Sequence, residues 1–264
     1  DGTFTVTQGK VEGLALTSVD FESQGHIDCS NNSSLSLTNN FTLAAWIKPD
    51  SVSTQLIAVS RGVTDNSSSQ YTFGINGQQI RFTKEGIDNL DSGTNVLTVD
   101  EWNHIAVTVS STDGVTFYHN GVNVGNSTNT TNCNASTGTF YIGRRWNGDY
   151  DFDGDIKEVK VFDYVKSADQ VASLYSNTYP QTPKHYWKLD DSIVGTATTT
   201  AVDSGTGTTL NGTVTFLNNN TGINSSSDWI NGTLDLDGNL TVEANGTMSC
   251  PRGNLDLASA LDIN

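Results

Sequence analysis

Apolar and polar residues alternate with a period of two along much of this chain, the spacing of strands that bury one face. Phe41, Leu43, Ala45 and Ile47 lie on one side of a run whose other side holds Thr42, Ala44 and Trp46, and Pro49-Asp50 ends it. Residues 71–75 and 78–82 flank Asn76-Gly77, and residues 116–119 and 122–124 bracket Asn120-Gly121. Both dipeptides tolerate positive φ at the two centres of a type I′ turn, so both pairs read as hairpins. Ile105, Val107 and Val109 share a face of a strand over 102–110, and residues 140–142 and 156–162 add two more. One short helix is predicted at 168–175, where Ser167 and Gln170 form a capping box and Val171, Leu174 and Tyr175 lie on one side.

Past the helix, residues 177–183 read Asn-Thr-Tyr-Pro-Gln-Thr-Pro and break the pattern. The expected organisation is one sandwich over 1–178, a linker at 179–184 and a partial, β-rich second copy over 185–264. Internal echoes support a repeat: Asn211-Gly-Thr-Val-Thr-Phe216 matches Asp1-Gly-Thr-Phe-Thr-Val6, Gly246-Thr-Met-Ser-Cys250 matches Gly25-His-Ile-Asp-Cys29, and Leu255-Asp-Leu257 matches Leu35-Ser-Leu37. Both copies are incomplete as written. Either the chain runs on in both directions, or the carboxy-terminal segment of one molecule completes the sandwich of another. A start at Asp1, without an initiator Met or a signal peptide, reads as a processed product or an excerpt.

Composition narrows the class. The chain is rich in Thr, Ser, Asn and Gly, with 4 Pro and 1 Met in 264 residues, which fits an all-β fold and not a helical one. Thirteen basic against 29 acidic residues give a formal charge of −16, which repels phosphate backbones and anionic lipid and argues against a nucleic-acid partner. The longest apolar runs fall far short of the ~20 residues that span a bilayer, so no membrane insertion is expected.

Phe41-Thr-Leu-Ala-Ala-Trp-Ile-Lys48, Glu101-Trp-Asn-His-Ile-Ala-Val-Thr108, Phe117-Tyr-His-Asn-Gly121 and Phe140-Tyr-Ile-Gly143 resemble the consecutive signature strands of the laminin-G-like, concanavalin A-like jelly rolls. Phe152-Asp-Gly-Asp-Ile-Lys-Glu-Val-Lys-Val161 with the helix after it is similar to that family's closing strand and helix, and His185-Tyr-Trp-Lys-Leu-Asp-Asp191 with Asp203-Ser-Gly205 to its opening strand. The resemblance covers about 13–178. It implies an antiparallel two-sheet jelly-roll sandwich with one short C-terminal helix, used mostly for binding glycans or proteins, although the same architecture hosts glycosidases.

Glycosidase chemistry needs two carboxylates roughly 5–10 Å apart across the scissile bond. Here the nearest acidic strand offers Glu158 between Lys157 and Lys160, which reads as structural, and no Ser/His/Asp pattern stands out. The expectation is a module that is not an enzyme. Arg144 to Asp155 is the most informative segment. Asp149, Asp151 and Asp153 alternate before Gly154 as in the first half of a calcium loop, but Lys160 stands where an EF-hand places its bidentate Glu; the alternatives are a Ca2+ site and a solvated acidic loop. In the same loop Arg145, Trp146, Asn147 and Tyr150 could stack on a sugar and bond its hydroxyls, or the aromatics could simply cover the sandwich end. Trp46, Trp102 and His104 read as packing residues.

Cys29 and Cys133 could form a disulfide closing a loop of about 100 residues, worth ~4 kcal/mol, with Cys250 the repeat-equivalent of Cys29; the alternative is three buried free thiols. Glycosylation sequons stand at Asn40, Asn66, Asn126, Asn129, Asn134, Asn211, Asn231, Asn239 and Asn245, a number that Asn-, Ser- and Thr-rich text partly makes by chance. The resulting expectation is an adhesive or structural module on an extracellular filament, cell surface or virion, presenting loops to glycans or surface proteins. The alternative is a building block whose partners are identical neighbouring subunits.

Overall fold

The structure, a computed structural model, describes residues 18–21, 25–63, 69–179, 181–189 and 200–215 in full, and the backbone alone at 4–6, 10–11, 17, 198–199, 223–227, 234–235 and 240–242. In chain order the strands are β1 Phe4–Val6, β2 Lys10–Val11, β3 Thr17–Phe21, β4 His26–Asp28, β5 Phe41–Pro49, β6 Gln55–Gly62 and β7 Tyr71–Asn76. They continue with β8 Gln79–Lys84, β9 Asp88–Asp91, β10 Asn103–Ser110, β11 Gly114–His119, β12 Val122–Ser127, β13 Thr139–Ile142 and β14 Gly154–Phe162. After helix α1, Ala168–Ser176, come β15 His185–Trp187, β16 Thr198–Ala201, β17 Gly212–Thr215, β18 Ile223–Ser227, β19 Leu234–Asp235 and β20 Leu240–Val242.

The chain divides into two compact units. Ser18–Ser226 holds two sheets, one ordered β12-β11-β10-β5-β14-β3-β18 with β15 also on β14, the other β16-β17-β4-β13-β6-β7-β8-β9. In the other unit, Asp1–Thr17 with Ser227–Asn264, β1 pairs with β20 and β2 with β19. The all-β, two-sheet expectation is therefore met.

Alternation builds the core as expected. Phe41, Leu43, Ala45 and Ile47 from β5 and Ile105, Val107 and Val109 from β10 meet Tyr71, Phe73 and Ile75 from β7 and Phe140 and Ile142 from β13, all essentially without exposure. On β14 the inward residues are Ile156, Val159 and Val161, a spacing that strict alternation forbids. A bulge between Lys157 and Lys160 reconciles it, with Glu158 at φ 53° absorbing the extra residue. On the outer face of the first sheet, Val171 and Leu174 of α1 cover Ala44, Ala106, Tyr118 and Phe162. The capping box of Ser167 and Gln170 is present and Asn177 ends the helix in the left-handed region.

Of the two expected hairpins, Asn120-Gly121 turns as read, with φ of 48° and 80° between the partners His119 and Val122. The other is shifted by one residue: Asn76 pairs with Gln79, and the turn is Gly77-Gln78 with positive φ at Gly77. Register decides this, because Ile75 opposite Ile80 keeps both side chains in the core.

The boundary expected at 179–184 falls inside one compact unit. β15 pairs with the second half of β14, Val159 opposite Trp187, while β17 pairs with β4, Val214 opposite Ile27. Trp187, Leu189, Ala201, Leu210 and Val214 all enter the core that 18–176 builds, which gives the sandwich a physical need for this segment.

Candidate functional site

The loop between β13 and β14 is folded tightly by its own backbone. Gly148 N donates to Arg145 O at 3.0 Å, Phe152 N to Gly143 O at 2.7 Å, and Ile57 N of β6 to Tyr150 O at 3.0 Å. Gly143 takes φ +86°, and a Cβ there would lie 2.2 Å from the Phe21 ring, so only glycine lets the loop leave β13 at this angle.

That loop aims Arg145 at the β8–β9 turn. Its Nε donates to Glu85 Oε1 at 3.1 Å and its Nη2 to Oε2 at 2.6 Å, a two-pronged pair with the Glu85 side chain almost fully buried. The guanidinium carbon stands 5.1 Å from the Trp146 ring centroid and 5.8 Å from that of Tyr150, within cation–π range of both. A shallow cavity of about 380 Å³ opens here, lined by residues 83–89 and Arg145. Tyr150 is 46% exposed. Lys84, whose Nζ donates to Asn129 O at 2.8 Å and Thr131 O at 2.6 Å, ties the cavity floor to the loop after β12.

Of the expected ligand residues, Arg145, Trp146 and Tyr150 are thus brought together, with distinct parts to play. Trp146 packs inward: its ring would lie 2.5 Å from a Cβ at Gly62, and its Nε1 is buried without a hydrogen-bond partner. Asn147 spends its amide on Asp149, donating to Oδ2 at 2.6 Å and accepting from the Asp149 N–H at 3.3 Å. Glu85, 60 residues from Arg145, was not legible in the sequence; no local spacing couples a hairpin turn to a distant loop.

The three aspartates considered as calcium ligands have different surroundings. Asp149 is bonded to Asn147, whereas Asp151 is half-buried, raised in pKa by desolvation and by Asp149 against the opposing pull of Arg144. The backbone carbonyl of Asp153 accepts from the Asp50 N–H at 3.0 Å. Burial, with Asp153, Asp100 and Asp155 adding to it, raises Asp50 in turn. Among the described residues no group of three His, Cys, Asp or Glu side chains could hold a metal ion.

Cys29 and Cys133 are both buried and both free, so the expected bridge is absent. Each sits in the apolar core, where burial pushes the Cys133 thiol up to about 12 and raises Cys29 as well. Cys250 lies outside the described residues. Of the sequons, Asn40, Asn126 and Asn211 are exposed, Asn129 and Asn134 are partly buried with amides donating to Asp88 and to Glu85 O, and Asn66, Asn231, Asn239 and Asn245 lie outside the described residues.

A second constellation also escaped sequence reading. Ser34 Oγ lies 2.9 Å from His185 Nε2, and His185 Nδ1 lies 2.8 Å from Asp203 Oδ2, the atom order of a nucleophile, base and orienting carboxylate. Burial pushes the Asp203 carboxyl up, but bonds from His185 and from the N–H groups of Tyr186, Gly205 and Leu210 outweigh it and hold the group below its ordinary value. The N–H groups of Ser34, Leu35 and Ser36 are all spent within the 3-10 turn Ser33–Leu35 and its cap, so none of them faces a developing oxyanion. Geometrically this is a clamp that fastens β15 to the body.

Comparison with known proteins places the fold. A protein from Bacteroides ovatus described as carbohydrate binding superposes with TM-score 0.59 at 22% identity, over 80% of this chain and 60% of its own length. The Ruminococcus gnavus IT-sialidase CBM40 superposes with TM-score 0.50 at 16% identity, over 61% of this chain and 98% of its own. At these identities the likeness is one of fold, and the chain spans about three fifths of the Bacteroides protein. No curated protein matches the sequence. A laminin-G family profile of the concanavalin A-like lectin/glucanases superfamily matches residues 21–172, more than half of the chain, and the chain belongs to that family.

Proposed function

We propose that this module binds glycans without transforming them, through the cavity between residues 83–89 and the β13–β14 loop, on an extracellular, cell or virion surface. The observation that carries the reading is Arg145: a guanidinium held in place by Glu85, lining an open cavity beside an exposed Tyr150 ring. Sugars are recognised by flat aromatic faces together with fixed donors, and a pre-oriented Arg loses little entropy on binding a hydroxyl or carboxylate. The carbohydrate-binding description of the Bacteroides ovatus protein and the sugar-binding fold class support it. Among the described residues no helix is long and apolar enough to cross a membrane.

A glycan array read with the wild-type chain, followed by calorimetry on the best hit, tests this. Tyr150→Ala is expected to weaken binding on the order of tenfold, or ~1.4 kcal/mol, and Arg145→Lys by at least as much because the two-pronged geometry is lost. Equal affinity of both variants and wild type would remove this cavity as the site. Release of reducing sugar from a polysaccharide panel would overturn the non-catalytic part.

A further inference from the structure

Lys84 ends β8 with its ammonium enclosed by neutral oxygens. The residue is 1% exposed, and its Nζ donates to three acceptors of one loop: Thr131 O at 2.6 Å, Asn129 O at 2.8 Å and Asn129 Oδ1 at 3.2 Å. Burial holds the ammonium below its ordinary pKa, with Cys133 and Asp88 opposing the shift. A lysine desolvated in this way gives up its proton more readily and becomes a nucleophile.

The group it touches is an electrophile held in place. Asn129 lies in the loop after β12, 45 residues further along the chain, and its side-chain carboxamide is fixed at both ends. Its Oδ1 accepts the Thr131 N–H at 3.0 Å, so a donor already stands where negative charge would develop during attack on Cγ. Its Nδ2 donates to Asp88 Oδ2 at 2.8 Å, which sets a carboxylate against the nitrogen that would depart. Amine, carboxamide, oxyanion donor and proton carrier thus meet from β8, the first residue of β9 and one loop. Such prior contact removes most of the entropic cost of a bond-forming step.

We infer that the folded chain joins Lys84 Nζ to Asn129 Cγ in an intramolecular isopeptide bond and releases ammonia. The Lys84 ammonium first passes one proton to solvent. The lone pair of the amine then attacks Cγ, and the carbonyl pair moves onto Oδ1, which faces the Thr131 N–H. A second Nζ proton travels through Asp88 to Nδ2, the Cγ–Nδ2 bond breaks and the carbonyl re-forms. The ammonia released takes up the first proton. A lysine ammonium and a primary amide thus become a secondary amide and an ammonium ion, so atoms and charge balance without an oxidant or co-reactant. The bond ties the floor of the cavity covalently to the loop after β12, and it takes Asn129 out of the set of glycosylation sites, because the nitrogen that a glycan needs has left. It stands apart from the sugar reading, which rests on Arg145 and Tyr150.

The test uses the full chain, produced without glycosylation, isolated in denaturant and then refolded. Intact mass is followed over time under denaturing conditions, and a tryptic digest maps any link. The refolded chain is expected to be lighter by one ammonia, with trypsin no longer cutting after Lys84 and a branched peptide joining residue 84 to residue 129. Lys84→Met and Asn129→Ala should each keep the full sequence mass, with circular dichroism reporting whether they fold. Asp88→Asn, at an exposed position, gives a reading that does not depend on those folds: it still offers Nδ2 an acceptor but cannot carry the proton, and it is expected to slow the loss of ammonia roughly a hundredfold. A refolded wild-type chain that keeps its full mass overturns the inference. So does loss of ammonia without a branched peptide, which would place the loss at an Asn-Gly step such as Asn147-Gly148. An unchanged rate in Asp88→Asn would overturn the part given to Asp88.

Discussion

His104 shows how a residue read only as packing acquires a measurable consequence. It is buried on the outer face of the first sheet, 5.2 Å from Trp46 and 6.0 Å from Tyr175 by ring centroids, with Nδ1 unpartnered. Burial, with Lys160 and His119 adding repulsion, lowers its pKa to about 3. The unfolded chain takes up this proton near pH 6.5 and the folded chain does not, so the stabilisation is complete above about pH 6.5 and is lost progressively as pH falls toward 3. At pH 5 the expected loss is about 2 kcal/mol. Melting curves between pH 7 and 4 should show this limb, and His104→Phe, which keeps the ring and removes the proton, should flatten it; an unchanged slope would locate the acid sensitivity elsewhere. The Arg145–Glu85 pair supports a second prediction. Arg145→Ala leaves a buried carboxylate unpaired and is expected to cost about 3–5 kcal/mol in denaturant unfolding, while the double variant Arg145→Ala/Glu85→Leu should recover most of that loss.

At the scale of elements, what the sequence disclosed was what a few neighbouring residues decide. Ser167 with Gln170 is a complete helix start written in four letters, and Asn120-Gly121 supplies both positive φ values that its turn needs. Asn76-Gly77 has the same letters but a different outcome, because the core positions of Ile75 and Ile80 fix the register and move the turn by one residue. The β13–β14 loop marks the limit of such reading. Its alternating aspartates look like ligands on paper, yet Asp149 bonds Asn147, Asp151 is half-buried near Arg144, and Asp153 lies close enough to Asp50 for the two charges to repel. Removing divalent cations is accordingly expected to leave the melting midpoint unchanged. An EDTA-dependent shift that calcium restores would show that the loop rearranges around an ion. Glu85 as the partner of Arg145, and Asp203 as the partner of His185, could not be read at all, since each pair is made by sheet pairing between segments remote in sequence or by a turn that packing defines.

For the whole molecule, the family and the layered architecture were legible because five strand motifs occur in order, whereas the extent of the sandwich was not. Residues 177–183 carry every local sign of a linker, and only the burial of Trp187, Leu189, Ala201, Leu210 and Val214 shows that the sandwich continues beyond them. These five side chains make a quantitative argument. Burying a large apolar side chain is worth about 1.5–3 kcal/mol, and Trp→Ala in a core costs about 3–5 kcal/mol, against a total stability of about 5–15 kcal/mol for a typical domain. Without them, Phe140, Ile27 and Cys29 also lose their cover on one side. A chain cut to 18–178, the boundary that punctuation suggests, is therefore expected to lack cooperative unfolding and to alkylate Cys29 and Cys133 at once under native conditions. A chain cut to 18–226 should unfold in one transition and protect both thiols, which the burial of their sulfurs keeps protonated. Trp187→Ala in the longer chain should fall between them, folded but less stable by about 3–5 kcal/mol. If the 18–178 chain instead melts as sharply as 18–226, the closing segment is an ornament on a self-sufficient sandwich, and its structural role in completing the core would fail.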